Sequence, residues 1–215
     1  MILQALNDYY VRKSASGELA PPGFSPKAIP FLVVLSSTGE FVQLSDTREL
    51  IGRRLTAKTF LVPEEKERSG SRAYATANFL WDHYGYVMGF PKSDKKQDVE
   101  MAQKQFSAFK ERVNQALCSR PGEIGLQAVS AFLESDDQVQ RVRADLLWSD
   151  CARIPGCNIS FRLEGDAELI CQRLGVAELV RGGLNADSDD EESELGISAR
   201  ECFCAVTGEV DQIAR

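Results

Sequence analysis

Histidine is almost absent from this chain, since His83 is the only one among 215 residues. Serine and cysteine nucleophiles usually need a histidine as the adjacent base. A hydrolase of that kind would have to use His83, which lies in the aromatic segment WDHYGY (residues 81–86). A packed or surface histidine is far commoner in such a segment than a catalytic one. We therefore predict that the protein is not an enzyme.

The residue spacings that hold zinc or phosphate are also missing. Five residues separate Cys151 from Cys157, and one residue separates Cys202 from Cys204. A zinc knuckle places two to four residues between its cysteines. No glycine-rich phosphate loop follows a predicted strand. We expect no metal and no cofactor, with these cysteines in the core.

Long apolar runs are absent as well, and none approaches the roughly 20 residues that span a bilayer. The opening MILQALND lacks the basic region of a signal peptide. We therefore expect a cytoplasmic protein with reduced cysteines and no membrane partner. Hydrophobic residues make up 43% of the chain, which is typical of a folded globular protein.

The formal net charge of −7 is mostly local. Residues 187–194 carry six acids and no base, which leaves 25 bases against 26 acids elsewhere. Such a run is typical of a solvated, disordered loop. The remainder is nearly neutral, so it permits a basic face for nucleic acid without requiring one.

The hydrophobic pattern predicts an α+β fold, with an N-terminal helix and antiparallel β-hairpins or a sheet packed with a small group of helices. A hairpin is predicted around Gly39, between FLVVL (31–35) and FVQL (41–44). Further strands are predicted at 59–62, 159–163 and 202–206, with buried strand or strand–turn at 78–81 and 86–90. Helices are predicted at 99–116, whose apolar residues are spaced three and four apart, at 123–134 and at 139–148.

A basic segment, residues 48–72, contains most of the residues that indicate a function. It has seven bases against four acids, and the bases are Arg48, Arg53, Arg54, Lys58, Lys66, Arg68 and Arg72. They flank the predicted strand at 59–62 and enter a polar loop that contains SGS (69–71). Arginine and lysine in such a loop can reach phosphates, and arginine can read guanine. From the residues alone, an ordinary solvated loop remains the alternative.

Several stretches of the chain form a recognisable series, in the order MILQALNDYY (1–10), APPGF (20–24), the hairpin around Gly39, Val62-Pro63 before the basic loop, NFLWD (78–82) with YVMG (86–89), and CAVTGE (204–209) with IAR (213–215). Together they resemble the large subunit of the type I-C (Dvulg subtype) CRISPR Cascade complex. The opening motif is specific, and the others support it. The resemblance implies an N-terminal fragment, with a DNA-recognition domain over 1–184, an acidic flexible loop over 185–196 and the truncated start of a further segment over 197–215.

The resemblance also implies a non-catalytic subunit of a crRNA-guided complex that binds double-stranded DNA and recognises the protospacer-adjacent motif. Its partners would be the crRNA-bound Cascade backbone subunits and a recruited helicase–nuclease. The candidate DNA-facing residues are Lys66, Arg68 and Arg72, with phosphate contacts from Arg53, Arg54 and Lys58. We expect alanine at Lys66, Arg68 and Arg72 to weaken DNA binding and to leave the thermal midpoint nearly unchanged.

Two candidate side chains keep open alternatives. Asn78 could read a base edge, because an amide both donates and accepts, or it could cap the local backbone. Trp81 fits the core better than a wedge that stacks on bases. For the whole chain, the rival functions are a scaffold that docks other Cascade subunits without touching DNA, and a nuclease or other hydrolase.

We expect deletion of residues 187–194 to leave folding intact and to tighten duplex binding, because six negative charges repel a phosphate backbone. Gel shifts and thermal unfolding of the deleted and full chains test this. A large fall in the thermal midpoint would show that the acidic run is structural.

Overall fold

The computed structural model describes residues 2–15, 19–182, 201–203 and 210–212. Contacts divide the chain into a smaller unit, Met1–Pro22 with Ala186–Arg215, and a larger unit, Gly23–Asn185. The predicted acidic loop at 185–196 lies outside the described residues, as do residues 204–206 of the strand predicted at 202–206.

Most strands and most helices fall in separate runs along the chain, which confirms the predicted α+β class. The described helices are α1 (Ile2–Ala15), α2 (Tyr84–Met88), α3 (Lys96–Ser119), α4 (Ile124–Glu134), α5 (Asp136–Ala144), α6 (Trp148–Arg153) and α7 (Leu174–Arg181). The described strands are β1 (Phe24–Ala28), β2 (Phe31–Leu35), β3 (Phe41–Asp46), β4 (Arg48–Ile51), β5 (Arg54–Ala57), β6 (Thr59–Pro63), β7 (Trp81–His83), β8 (Asn158–Leu163), β9 (Glu201–Phe203) and β10 (Val210–Gln212). Strands β1–β7 form the first run and helices α2–α6 follow as the second. None of the helices in these residues is long and apolar enough to cross a membrane.

The smaller unit contains α1 and an antiparallel pair, β9 with β10. The Tyr10 hydroxyl donates to the Ala20 carbonyl at 2.8 Å, which fixes the chain after α1. The N-terminal helix predicted from the sequence is therefore confirmed.

A four-stranded sheet in the order β3-β2-β8-β7 lies at the centre of the larger unit. All five residues of β2 are buried, as expected for a central strand covered on both faces. β2 pairs with β3 in the predicted hairpin and runs parallel to β8. A parallel pair requires a long crossover, and here the crossover carries α2 to α6.

Helices α3 and α4 cover this sheet. The predicted apolar stripe of α3 is buried at Ala102, Phe109, Val113 and Ala116. The ring centroids of Phe109 and Phe132 lie 6.2 and 5.9 Å from that of Phe161 on β8. Aromatic packing between helices and strand therefore forms the middle of the core.

Local structure differs from the sequence prediction at several positions. Residues 84–88 form a short helix, where strand or strand–turn was predicted, because His83 caps it and Gly89 ends it with a φ of 58°. The helix predicted at 139–148 is two helices, α5 and α6, because Asp145 has extended backbone. Strands β4 and β5 form a hairpin that the sequence analysis did not predict.

The turn of the β2–β3 hairpin depends on a close backbone approach at Gly39. Its φ is 88°, and an added Cβ would lie 2.6 Å from the Ala128 carbonyl oxygen on α4. Gly52, in the β4–β5 turn, has a φ of 65° but nothing within 4 Å of an added Cβ. An alanine at Gly52 would therefore cause backbone strain alone, whereas an alanine at Gly39 would cause both backbone strain and steric overlap.

We predict that Gly39→Ala lowers the free energy of unfolding by roughly 2–4 kcal/mol, because left-handed strain and overpacking add. Gly52→Ala should cost only about 1 kcal/mol, from strain alone. Urea denaturation measures both values. Equal losses would mean that the approach of α4 to Gly39 contributes nothing.

Candidate nucleic-acid interface

The β4–β5 hairpin presents two arginines to solvent. Within the described part of the chain its strands pair only with each other, with Ile51 opposite Arg54, and the turn is formed by Gly52 and Arg53. Arg53 and Arg54 are exposed, and neither side chain has a hydrogen bond or ion pair with any other described residue. Both guanidinium groups are therefore available to an external anion.

The same hairpin exposes apolar side chains. Leu50, Ile51 and Leu55 are 69%, 64% and 59% exposed, and Leu50 lies directly opposite Leu55. An isolated two-stranded hairpin is marginal in water, and clustered exposed apolar residues mark interaction sites. The exposed apolar residues thus indicate that the hairpin contacts another molecule.

Arg48 anchors the base of the hairpin. Its Nε and Nη2 donate to the Asp46 carboxylate at 2.9 and 2.7 Å, and Asp150 lies 3.6 Å away. Its guanidinium carbon lies 4.6 Å from the centroid of the Phe31 ring. These hydrogen bonds lower the pKa of Asp46 and raise that of Arg48. The charge of Arg48 is therefore balanced inside the domain.

The loop at residues 64–76, called the basic loop after its three cations although it also carries three glutamates, is held to the core through Arg68. Its Nε donates to the Thr76 carbonyl at 2.7 Å, its Nη2 forms an ion pair with Asp82, and its guanidinium carbon lies 4.3 Å from the centroid of Tyr86. The Arg68 side chain is only 22% exposed. This candidate DNA contact therefore has a structural role.

Asp82 is 1% exposed, and its carboxylate accepts hydrogen bonds from the surrounding backbone. It accepts from the Asn78 N–H at 2.9 Å and from the His83 N–H at 2.8 Å, besides the ion pair with Arg68. A buried carboxylate needs such donors because its charge is otherwise poorly solvated. The loop and strand β7 are thus joined at one buried group.

Asn78 and Trp81 are both buried, at 1% exposure each. The Asn78 Oδ1 accepts from the Lys66 backbone N–H at 3.1 Å, which is the capping interpretation. The Trp81 Nε1 donates to the Pro63 carbonyl at 2.8 Å, so its ring belongs to the core. Neither side chain presents a face to solvent in this structure.

The remaining candidates lie closer to the surface. Lys58 and Arg72 are exposed, and Lys66 is half-buried. The Lys58 Nζ lies 5.4 Å from the centroid of the Phe60 ring. The structure therefore divides the seven candidates into four exposed cations, which are Arg53, Arg54, Lys58 and Arg72, and three more buried residues, which are Lys66, Arg68 and Asn78.

His83 serves as the N-cap of α2, where its Nδ1 accepts from the Gly85 N–H at 3.1 Å. Burial, the largest effect, lowers the pKa of His83. Cys151 and Cys157 are buried free thiols, and a hydrogen bond between them raises the pKa of Cys151. Across the described ranges there is no group of three or more side chains suited to a metal.

The contacts of Arg68 lead to a different expectation from the nearly unchanged thermal midpoint that the sequence predicts for alanine at Lys66, Arg68 and Arg72. Arg68→Ala should lower the free energy of unfolding by about 3 kcal/mol, because the Asp82 carboxylate would stay buried without its cation. Arg72→Ala, at an exposed position, should change it by less than about 0.5 kcal/mol. Urea denaturation compares the two variants.

The double variant Arg68→Ala with Asp82→Asn is the matched control. It should recover part of the loss, because no buried charge is then left unpaired. If Arg68→Ala unfolds at the same urea concentration as Arg72→Ala, Arg68 does not anchor the loop.

The family comparison covers the hairpin and the basic loop together. A family model described as CRISPR-associated protein (Cas_Csd1) matches residues 6–215. No curated protein matches the chain. The match spans nearly the whole sequence and agrees with the resemblance seen in its motifs. The chain therefore belongs to the Csd1 family of CRISPR-associated proteins and is a large subunit of the type I-C Cascade complex.

Proposed function

We propose that this chain binds double-stranded DNA, recognises the protospacer-adjacent motif for the Cascade complex, and does no chemistry itself. The observation that carries the proposal is the β4–β5 hairpin, whose exposed arginines Arg53 and Arg54 have no described partner. A crRNA-guided complex reads its target by base pairing, so its protein needs to read only a short motif and the shape of the backbone.

The shape of the hairpin suits a DNA groove. The major groove of B-DNA admits a two-stranded β-ribbon, and arginine binds guanine there through two hydrogen bonds. Apolar side chains can also press against bases, as Leu50, Ile51 and Leu55 would at the tip of this ribbon. The anchoring of Arg48 on Asp46 and Phe31 would hold the ribbon in place during contact.

Other cations support the hairpin in this proposal. Lys58 follows β5 directly, and Arg72 lies in the basic loop, so both could contact phosphates without disturbing the core. Arg68 and Asn78 would act indirectly, by fixing the path of the loop through Asp82 and Lys66. This revises the expected contact set toward Arg53 and Arg54.

A non-catalytic role fits the state of the only histidine. The Nδ1 of His83 is occupied by the Gly85 N–H, and burial disfavours its protonated form. In this proposal the target DNA is cut by the recruited helicase–nuclease, and this chain positions the DNA beside the crRNA-bound backbone subunits.

The exposed apolar residues also favour a second candidate, a scaffold role. Leu50, Ile51 and Leu55 could pack against another Cascade subunit, because the cores of protein interfaces are apolar. In that case the arginines would lie at the polar rim, where charges contribute little to affinity.

The double variant Arg53→Ala with Arg54→Ala tests the two candidates. We expect weaker binding to duplex DNA, and a slope of log K against log salt reduced by about 1.8, because roughly 0.9 is lost per phosphate contact. If an arginine reads a base, the preference for motif-bearing duplexes should fall by about 1–3 kcal/mol. Gel shifts over a series of salt concentrations measure both quantities in the assembled complex.

The control is Arg141→Ala with Arg181→Ala, two exposed arginines elsewhere in the larger unit, which should leave both quantities unchanged. Unchanged binding and slope in the hairpin variant would rule out the DNA contact. The scaffold role instead predicts that the hairpin variant assembles into Cascade and binds DNA as the unaltered chain does, because charges at an interface rim contribute little to affinity.

A further inference from the structure

A cavity of about 520 Å³ opens beside α2, and none of the candidate DNA contacts lines it. It is lined by the first half of α3, by residues 152–156 and by the aromatic side chains His83, Tyr84 and Phe90. Ligand pockets commonly have volumes of roughly 300–1,000 Å³, with apolar walls and a few polar groups. This cavity has that size and composition.

The aromatic wall is preformed. The rings of Tyr84 and Phe90 meet edge to face at 5.7 Å, and Phe90 meets Trp148 at 5.1 Å. His83 meets Tyr86 at 5.0 Å. Because its Nδ1 accepts from Gly85, a neutral His83 carries its proton on Nε2 and can donate from there.

Three further polar residues complete the lining. Gln105 contributes a carboxamide, which can donate and accept at once. Lys92 contributes an ammonium group, and two more lysines, Lys95 and Lys96, follow within the stretch that leads to the lining residue Asp98. The Asp98 carboxylate is engaged by the Ser93 hydroxyl.

The lysines distinguish between possible occupants. An apolar side chain from a partner would satisfy the aromatic wall but would leave Lys92 without an anion. Lys92 and Lys95 are exposed, and neither has an ion pair with another described residue. A planar, hydrogen-bonding ring that carries a phosphate would satisfy the wall, the amide and the lysines together.

We propose that this cavity binds one unstacked nucleotide of a DNA strand, with its base against the aromatic wall and its phosphate at Lys92 and Lys95. The proposal rests on the DNA-binding function proposed above and adds a second, single-stranded contact to it. Single-stranded nucleic acid is commonly held by aromatic stacking together with basic side chains.

The position of the cavity connects it to the basic loop. His83 lines the cavity, and its backbone N–H donates to Asp82, which also pairs with Arg68 of the loop. Asp82 and His83 are neighbours on β7, so the loop and the cavity are attached to adjacent residues. A DNA strand that contacted the loop would therefore lie near a pocket able to accept a base. Extruding a base costs least where the duplex is already opened.

Deoxyadenosine 5′-monophosphate is the direct probe, with isothermal titration as the measurement. We expect it to bind the full chain more tightly than deoxyadenosine or 2-deoxyribose 5-phosphate, because these lack the phosphate and the base respectively. Met101→Trp, at an exposed residue that lines the cavity, should fill it and weaken binding roughly tenfold or more through lost stacking. Lys92→Glu should weaken binding of the monophosphate and leave that of deoxyadenosine unchanged.

Leu146→Trp and Arg181→Glu are the controls, since both residues are exposed and lie outside the cavity. They should bind the monophosphate as the unaltered chain does. Absence of binding, or equal binding by Met101→Trp, would overturn the proposal. Arg53→Ala with Arg54→Ala should keep monophosphate binding, so failure of the hairpin as a duplex contact would be seen separately from failure of this pocket.

Discussion

The buried carboxylate of Asp82 organises the part of the molecule that faces the proposed ligand. It neutralises Arg68 and accepts hydrogen bonds from the backbone of Asn78 and His83. One carboxylate thus determines where the basic loop leaves the core and how β7 leads into α2. A hydrophobic contact could not replace it, because only an ionised acceptor can satisfy a guanidinium and two backbone donors at one point. The cost of burying the charge is offset only while all of these donors are present.

The arginines of the basic segment fall into two electrostatic classes, and this separation determines which of them can act on a ligand. Arg48 and Arg68 are paired with Asp46 and Asp82, so their charges stabilise the hairpin base and the loop. Arg53 and Arg54 form no ion pair with a carboxylate in the described residues. The paired arginines make the hairpin base and the loop rigid, and the unpaired arginines are available to bind DNA. A rigid support lowers the conformational entropy that is lost when the unpaired arginines bind.

Much of the core could be predicted from the sequence, whereas the site could be predicted only in part. Strand β2 can be predicted from its continuous apolar run, and α3 from apolar residues spaced three and four apart, because burial imposes both patterns. The β4–β5 hairpin gives no such signal, because it buries neither face and carries Leu50 and Arg54 alike in solvent. The role of Arg68 could not be foreseen either, because Asp82 lies 14 residues away in the chain and the fold alone brings the two together.

The nearly neutral charge outside the acidic run is consistent with the proposed function, because DNA without a target competes with the target for the complex. Nonspecific affinity for DNA rises with the number of phosphates neutralised. A subunit with many unpaired cations would therefore hold its complex on DNA that lacks a target. Pairing Arg48 and Arg68 internally leaves a few exposed cations near the hairpin and loop, enough for a short contact. Discrimination can then come from the motif, the opened strand and the guide RNA, since mismatches there carry the larger energetic differences.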